Sequence, residues 1–173
     1  MSFRGKAGWA LAAVLGGALA AAPAAHATGT SGKCSTSSGA SVVVDYYDLG
    51  PSTPVTRCSA TTGTALQVLQ GAGFTATGTQ RWGLAFICRI NGYPTSTQYI
   101  SIPGNTRYQE KCVDTPPASA YWALWVASNG GTWKLASYGA TTQKVAAGQW
   151  EGWAWEHNRS QTTLVRPRVT PTR

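Results

Sequence analysis

Apolar and polar positions along this chain switch at short intervals, and most apolar runs are rich in β-branched and aromatic residues, the composition of strands. "SVVVDYYDL" from Ser41 reads as the first strand, "GPSTP" as a turn and "VTRCSA" as the return strand of a hairpin. The period changes in "TALQVLQGAGF", where Ala65, Leu66, Val68, Leu69 and Ala72 fall on one helical face. Thr64 and Gln67 have the spacing of a capping box, and Gly71 or Gly73 can end the helix. So short a helix cannot stand alone and must lay its Leu66/Leu69 face on a sheet. "FTATGT" and "GLAFICRING" read as strands, the second running into an Asn91-Gly92 turn. "YPTSTQYISIPGNTRYQEK" reads as a long irregular excursion and "VDTPPAS" as a rigid connector. "YWALWV" and "TWKLAS" flank "ASNGG" as the clearest hairpin, and "KVAAGQWEGWAWE" supplies a turn and the last strand. The pattern predicts an α+β domain, mainly antiparallel β-sheet with one short helix.

The ends of the chain read differently. Arg4 and Lys6 precede an apolar run from Ala7 to about Ala22, and Ala25-His26-Ala27 follows. That is the order of a signal peptide over residues 1–27, so the mature protein is expected to be secreted. Residues 28–40 are rich in Gly, Ser and Thr and read as a flexible leader. The domain is expected over 41–156, and the polar, Pro-containing stretch 157–173 is expected to be a disordered basic tail. Past the signal no apolar run is long enough to span a membrane.

Four cysteines in an exported chain argue for two disulfides, with three pairings open. Cys34–Cys58 and Cys88–Cys112 are favoured because they close loops of equal length, each worth roughly 3 kcal/mol. Without a CxxC pair or a histidine partner, a metal site is not expected. The formal net charge of +8 is spread thinly, charged residues being 12% of the chain, and Arg166, Arg168 and Arg173 lie in the tail. This argues against nucleic acid as a partner and fits solubility with loose attraction to an anionic envelope.

Six of the eight tryptophans lie between Tyr121 and Glu156. Alternation along strands places Trp122, Trp153 and Trp155 on an inner apolar face and Trp125 and Trp150 on the outer one. An outward cluster of Tyr121, Trp125, Trp133, Tyr138 and Trp150 is the candidate ligand-binding platform for a flat or sugar-like molecule. Catalytic sets are not apparent. His157 is the one histidine past the signal and opens the tail, and Asp45 and Asp48 read as turn formers. Glu151 shares the face of Trp153 and Trp155, so it is expected to be partly buried and paired, with an arginine as the natural partner. The expectation is a non-enzymatic binder without a cofactor.

Taken in order, "SVVVDYYDLG", "GTALQVLQGAGF", "AFICRINGYP", "CVDTPPASAYWALWV" and the closing Val-x-x-Gly-x-x-Glu-Gly-Trp resemble the transcobalamin-like C-terminal domain of secreted and surface-attached proteins of Gram-positive bacteria. The resemblance runs from about Ser41 to Glu156. It implies a β-grasp-like α+β fold and a small-molecule ligand of the corrinoid kind. It also implies a transporter or cell-envelope partner. The helical domain that shares the ligand in vertebrate vitamin B12 carriers has no counterpart here. An envelope-interaction protein that binds wall glycan or a protein partner is the second expectation, since the positive charge and aromatic patch suit it equally.

Overall fold

A computed structural model describes Met1, residues 29–159 and residues 163–173. Apart from Met1, the expected signal segment lies outside these residues. The main sheet has six strands. Its centre is β2 (Ala40–Asp45) lying parallel to the last strand, β12 (Trp150–His157), with Glu151 opposite Val42 and Trp153 opposite Val44. On one side β3 (Val55–Ser59) returns antiparallel to β2, and the short β1 (Thr30–Ser31) pairs with β3. On the other side β9 (Ala120–Ala127) runs antiparallel to the whole of β12, and β10 (Lys134–Leu135) pairs with the end of β9. Every residue of β2, and all of β12 except His157, is buried. Strands buried along their whole length are covered on both faces.

The inner face is covered by the helix and the small hairpins. β4 (Gly63–Thr64) pairs with β11 (Lys144–Val145) and leads into α1 (Ala65–Gly71). The capping box forms as the spacing predicts. Thr64 Oγ1 accepts from Gln67 N at 3.3 Å, and Gln67 Oε1 accepts from Thr64 N at 2.9 Å. Ala65, Val68 and Leu69 turn into the core, while Leu66 packs half-buried against it. β5 (Ala76–Thr79) and β6 (Gly83–Ile90) pair antiparallel. Asn91 and Gly92 then turn the chain with φ of 49° and 78°. The excursion expected to be irregular contains a hairpin of β7 (Ile100–Ile102) and β8 (Asn105–Tyr108), turned at Gly104. Each strand is too short to show a period, so alternation could not reveal it.

Both favoured disulfides form, Cys34–Cys58 and Cys88–Cys112, each spanning 24 positions. Among the described residues the fold is therefore mainly β-sheet with one short helix and two disulfides. Among the described residues no helix is long and apolar enough to cross a membrane. The inner core is built on edge-to-face rings, with Trp122 set 5.5 Å from Trp155 and 5.5 Å from Tyr46.

Two expectations are corrected. The leader is pinned at Cys34 by the favoured disulfide, and also at Thr30–Ser31, which forms β1 against β3. Nor are residues 163–173 a disordered tail. They lie across the outer face of the sheet, burying Pro167 and Pro171, and cover Val43, Trp125, Trp133 and Trp150. His157 also belongs to the domain. It ends β12, with Nδ1 2.5 Å from Asp48 Oδ2 and Nε2 2.9 Å from Ser101 O. A composition-based reading misses such a segment, because three arginines and two prolines look solvated until a carboxylate and apolar rings receive them.

Candidate functional site

β9 is longer than the partner on its free side. β10 pairs only with Val126 and Trp125, and the contact ends where Ala136 N donates to Leu124 O at 2.9 Å. Beyond that point the β9 edge faces β6 across a gap. The gap is a cavity of about 280 Å³. Trp122, Leu124 and Trp153 form its floor, Ala85 to Ile87 of β6 one wall, and Ala136 to Ala140 the other. Leu135 and Tyr138 stand exposed at its mouth, Tyr138 with 64% of its surface free.

Both indole N–H groups of the floor are engaged. Trp122 Nε1 already donates to Tyr93 O at 3.1 Å, and Trp153 Nε1 donates to Glu151 Oε1 at 2.6 Å. Main-chain groups in an antiparallel strand point alternately to either side. Leu124 O points to the β10 side, so the N–H and C=O of Trp122 point there too, along the cavity wall where no strand pairs. The site thus offers an apolar floor with the main-chain groups of Trp122 at its edge and the Tyr138 phenol at its mouth. No carboxylate, histidine or cysteine lines it. Among the described residues no group of His, Cys, Asp and Glu is arranged to hold a metal ion.

The five residues expected to form one platform are divided by the sheet. Tyr138 stands at the cavity mouth; Tyr121 borders the cavity along the β9 edge, but its half-buried side chain packs against the outer-face cluster. Trp125, Trp133 and Trp150 lie on the opposite face, all buried beneath the C-terminal segment, with Trp133 edge-to-face to Trp150 at 6.4 Å. Their outward direction follows from alternation, but the outer face is covered rather than open. Phe86, Ile87, Leu135 and Ala136 were not anticipated as lining residues. The signal that points to them is the mismatch between an eight-residue β9 and a partner strand of two residues that ends at Leu135.

Two acids flank these faces. Glu151 is buried in the inner core and bonded to the Trp153 indole, not to an arginine as expected. Burial pushes its carboxyl well above the ordinary value, the indole bond only partly offsetting this. Glu156 lies under the C-terminal segment, where burial raises its pKa to about 7 despite a hydrogen bond from Val165 N. Burial, and secondarily the charge of Glu156, raises the Tyr121 phenol. Neither a family model, nor a curated protein, nor a solved structure matches this chain.

Proposed function

We propose that the protein is a secreted, non-enzymatic binding module. Its ligand is a small, flat, amphipathic molecule held in the cavity between β6 and β9. The carrying observation is the floor of Trp122, Leu124 and Trp153 beside the unpaired Trp122 main chain. An apolar ring would lie on the indoles while a polar edge pairs with the strand, the usual division of labour in small-molecule sites. At about 280 Å³ the cavity is just below the usual range for drug-sized ligands, so a corrinoid would insert only one edge or side chain. The two disulfides and the signal-like N-terminus support secretion. A β-grasp-like, transcobalamin-related fold is consistent with the parallel pair of β2 and β12 packed against α1.

The test is a titration with anilinonaphthalene sulfonate and, separately, with cobalamin, following tryptophan fluorescence. Saturable binding of the dye is expected, weakened at least tenfold by Ala136→Trp, which fills the wall, and unchanged by Trp125→Phe on the far face. Equal affinity in wild type and Ala136→Trp would refute the assignment. Saturable cobalamin binding lost in the same variant would extend it to corrinoids.

A second reading, binding to wall glycan, draws on exposed rings backed by cations. Arg81 stacks 4.8 Å from the Trp82 ring and Arg107 4.6 Å from that of Tyr99. Retention on purified cell wall that Trp82→Ala abolishes would favour it.

A further inference from the structure

The C-terminal segment meets the sheet as a bound peptide meets a receptor. It adds no strand, and much of its main chain is held by side chains. Tyr47 Oη donates to Arg166 O at 2.6 Å, and Trp133 Nε1 donates to Val169 O at 2.8 Å. The segment runs antiparallel to β12. Val165 N bonds Glu156, Pro167 sits over Gly152, and Arg173 Nη2 reaches Gly148 O at 2.7 Å. The spacing is uneven, since two positions from Val165 to Pro167 answer four from Glu156 to Gly152, and the segment bends at Arg168 and Val169.

Three features fit this face to such a segment. Asp45, fully buried at the end of β2, takes the Arg168 guanidinium as a fork, Nη2 at 2.6 Å and Nε at 3.0 Å, and also accepts from Arg168 N at 2.8 Å. The Tyr47 ring lies 4.5 Å from the same guanidinium. Gly152 leaves a slot, since a Cβ there would stand 2.5 Å from Pro167 Cγ and 2.9 Å from the Trp133 ring. Glycine inside a central strand commonly marks such a close approach.

The fit is incomplete. The Nε1 atoms of Trp125 and Trp150 and Oε1 of Glu156 are buried on this face without hydrogen-bond partners. A hollow of about 270 Å³ remains between the segment and Gly131–Trp133. The inner core leaves Trp155 Nε1 and Glu151 Oε2 unmatched as well, so it is the hollow beside the segment that marks the looser fit.

We propose that the outer face of the six-stranded sheet is a recognition groove for peptide segments bearing the Arg-Pro-Arg-Val pattern, and that residues 163–173 are its resident occupant. Proline suits such a site because it brings no N–H that would need a partner. Tethering keeps the resident segment at high effective concentration, so a competing segment gains access only when it is released.

The experiment inserts a protease recognition sequence between Arg159 and Thr163 of the full chain and cleaves after folding. Labelled peptide TLVRPRVTPTR is then added, and exchange is followed by fluorescence anisotropy with near-ultraviolet circular dichroism as the fold control. Exchange at micromolar peptide is expected. Arg168→Ala in the peptide, or Gly152→Ala in the body, should weaken it tenfold or more. Failure of the labelled peptide to enter, or equal uptake of the Arg168→Ala peptide, overturns the proposal. So does loss of the fold once the original segment leaves, since the segment would then belong to the core.

Discussion

Replacing Glu151 with glutamine should reverse its own sign with pH. The carboxyl lies inside the apolar core. Oε1 accepts from the Trp153 indole at 2.6 Å, and Oε2 has no partner. Its folded pKa stands well above the 4.5 of an ordinary glutamate. The folded state therefore keeps a proton that the unfolded chain releases above that value. Below pH 4.5 both states hold the proton and the wild type keeps its full stability. As pH rises, wild-type stability falls by about 1.4 kcal/mol per unit until the folded pKa is reached. Glutamine keeps the acceptor for Trp153 and does not titrate. It also buries an amide N–H₂ with no acceptor, costing about 1–2 kcal/mol. Glu151→Gln should then be the weaker protein at pH 4.5, equal to wild type about one unit higher, and the more stable at pH 7.5. Urea unfolding followed by tryptophan fluorescence at unit pH steps measures this directly. Parallel stability curves for the two proteins across that range would refute the placement of a neutral carboxyl in this core.

Three further outcomes are expected. Glu156→Gln should show the same direction of difference, but growing only from about pH 4.5 to about 7 and level above, with a total near 3 kcal/mol at most, read by the same unfolding series. Converting Cys88 and Cys112 together to serine should lower stability by about 3 kcal/mol, visible as a shifted urea midpoint, because their bridge closes a 24-residue separation. Thr64→Ala should cost about 1 kcal/mol in the same assay by removing the side-chain half of the capping box on α1.

The sheet was largely readable from the chain because its strands carry their own pattern. Val42 and Val44 against Val43, and Trp122 and Leu124 against Trp125, alternate so regularly that the two faces and their tryptophans could be separated without coordinates. The capping box of α1 was equally plain, since Thr64 and Gln67 act through local geometry. What alternation cannot state is what covers a face. Trp125 and Trp150 point outward as expected, yet the segment that buries them contains Pro167 and Arg168, residue types that signal solvent. Their docking depends on Asp45, 123 positions away, which by itself reads as a turn residue. The cavity was hidden for a related reason, because a gap between β6 and β9 is a property of how far pairing extends.

The side-by-side placement of β2 and β12 also governs how this polypeptide comes into being. The hydrogen-bonded neighbour of the first long strand is the last one to leave the ribosome. Until Trp150–His157 is in place, Val42 and Val44 have β3 beside them and the α1 face against them, but no strand on their other edge. Such distant pairing slows folding. The six-stranded sheet therefore stays open until Trp150–His157 inserts between β2 and β9.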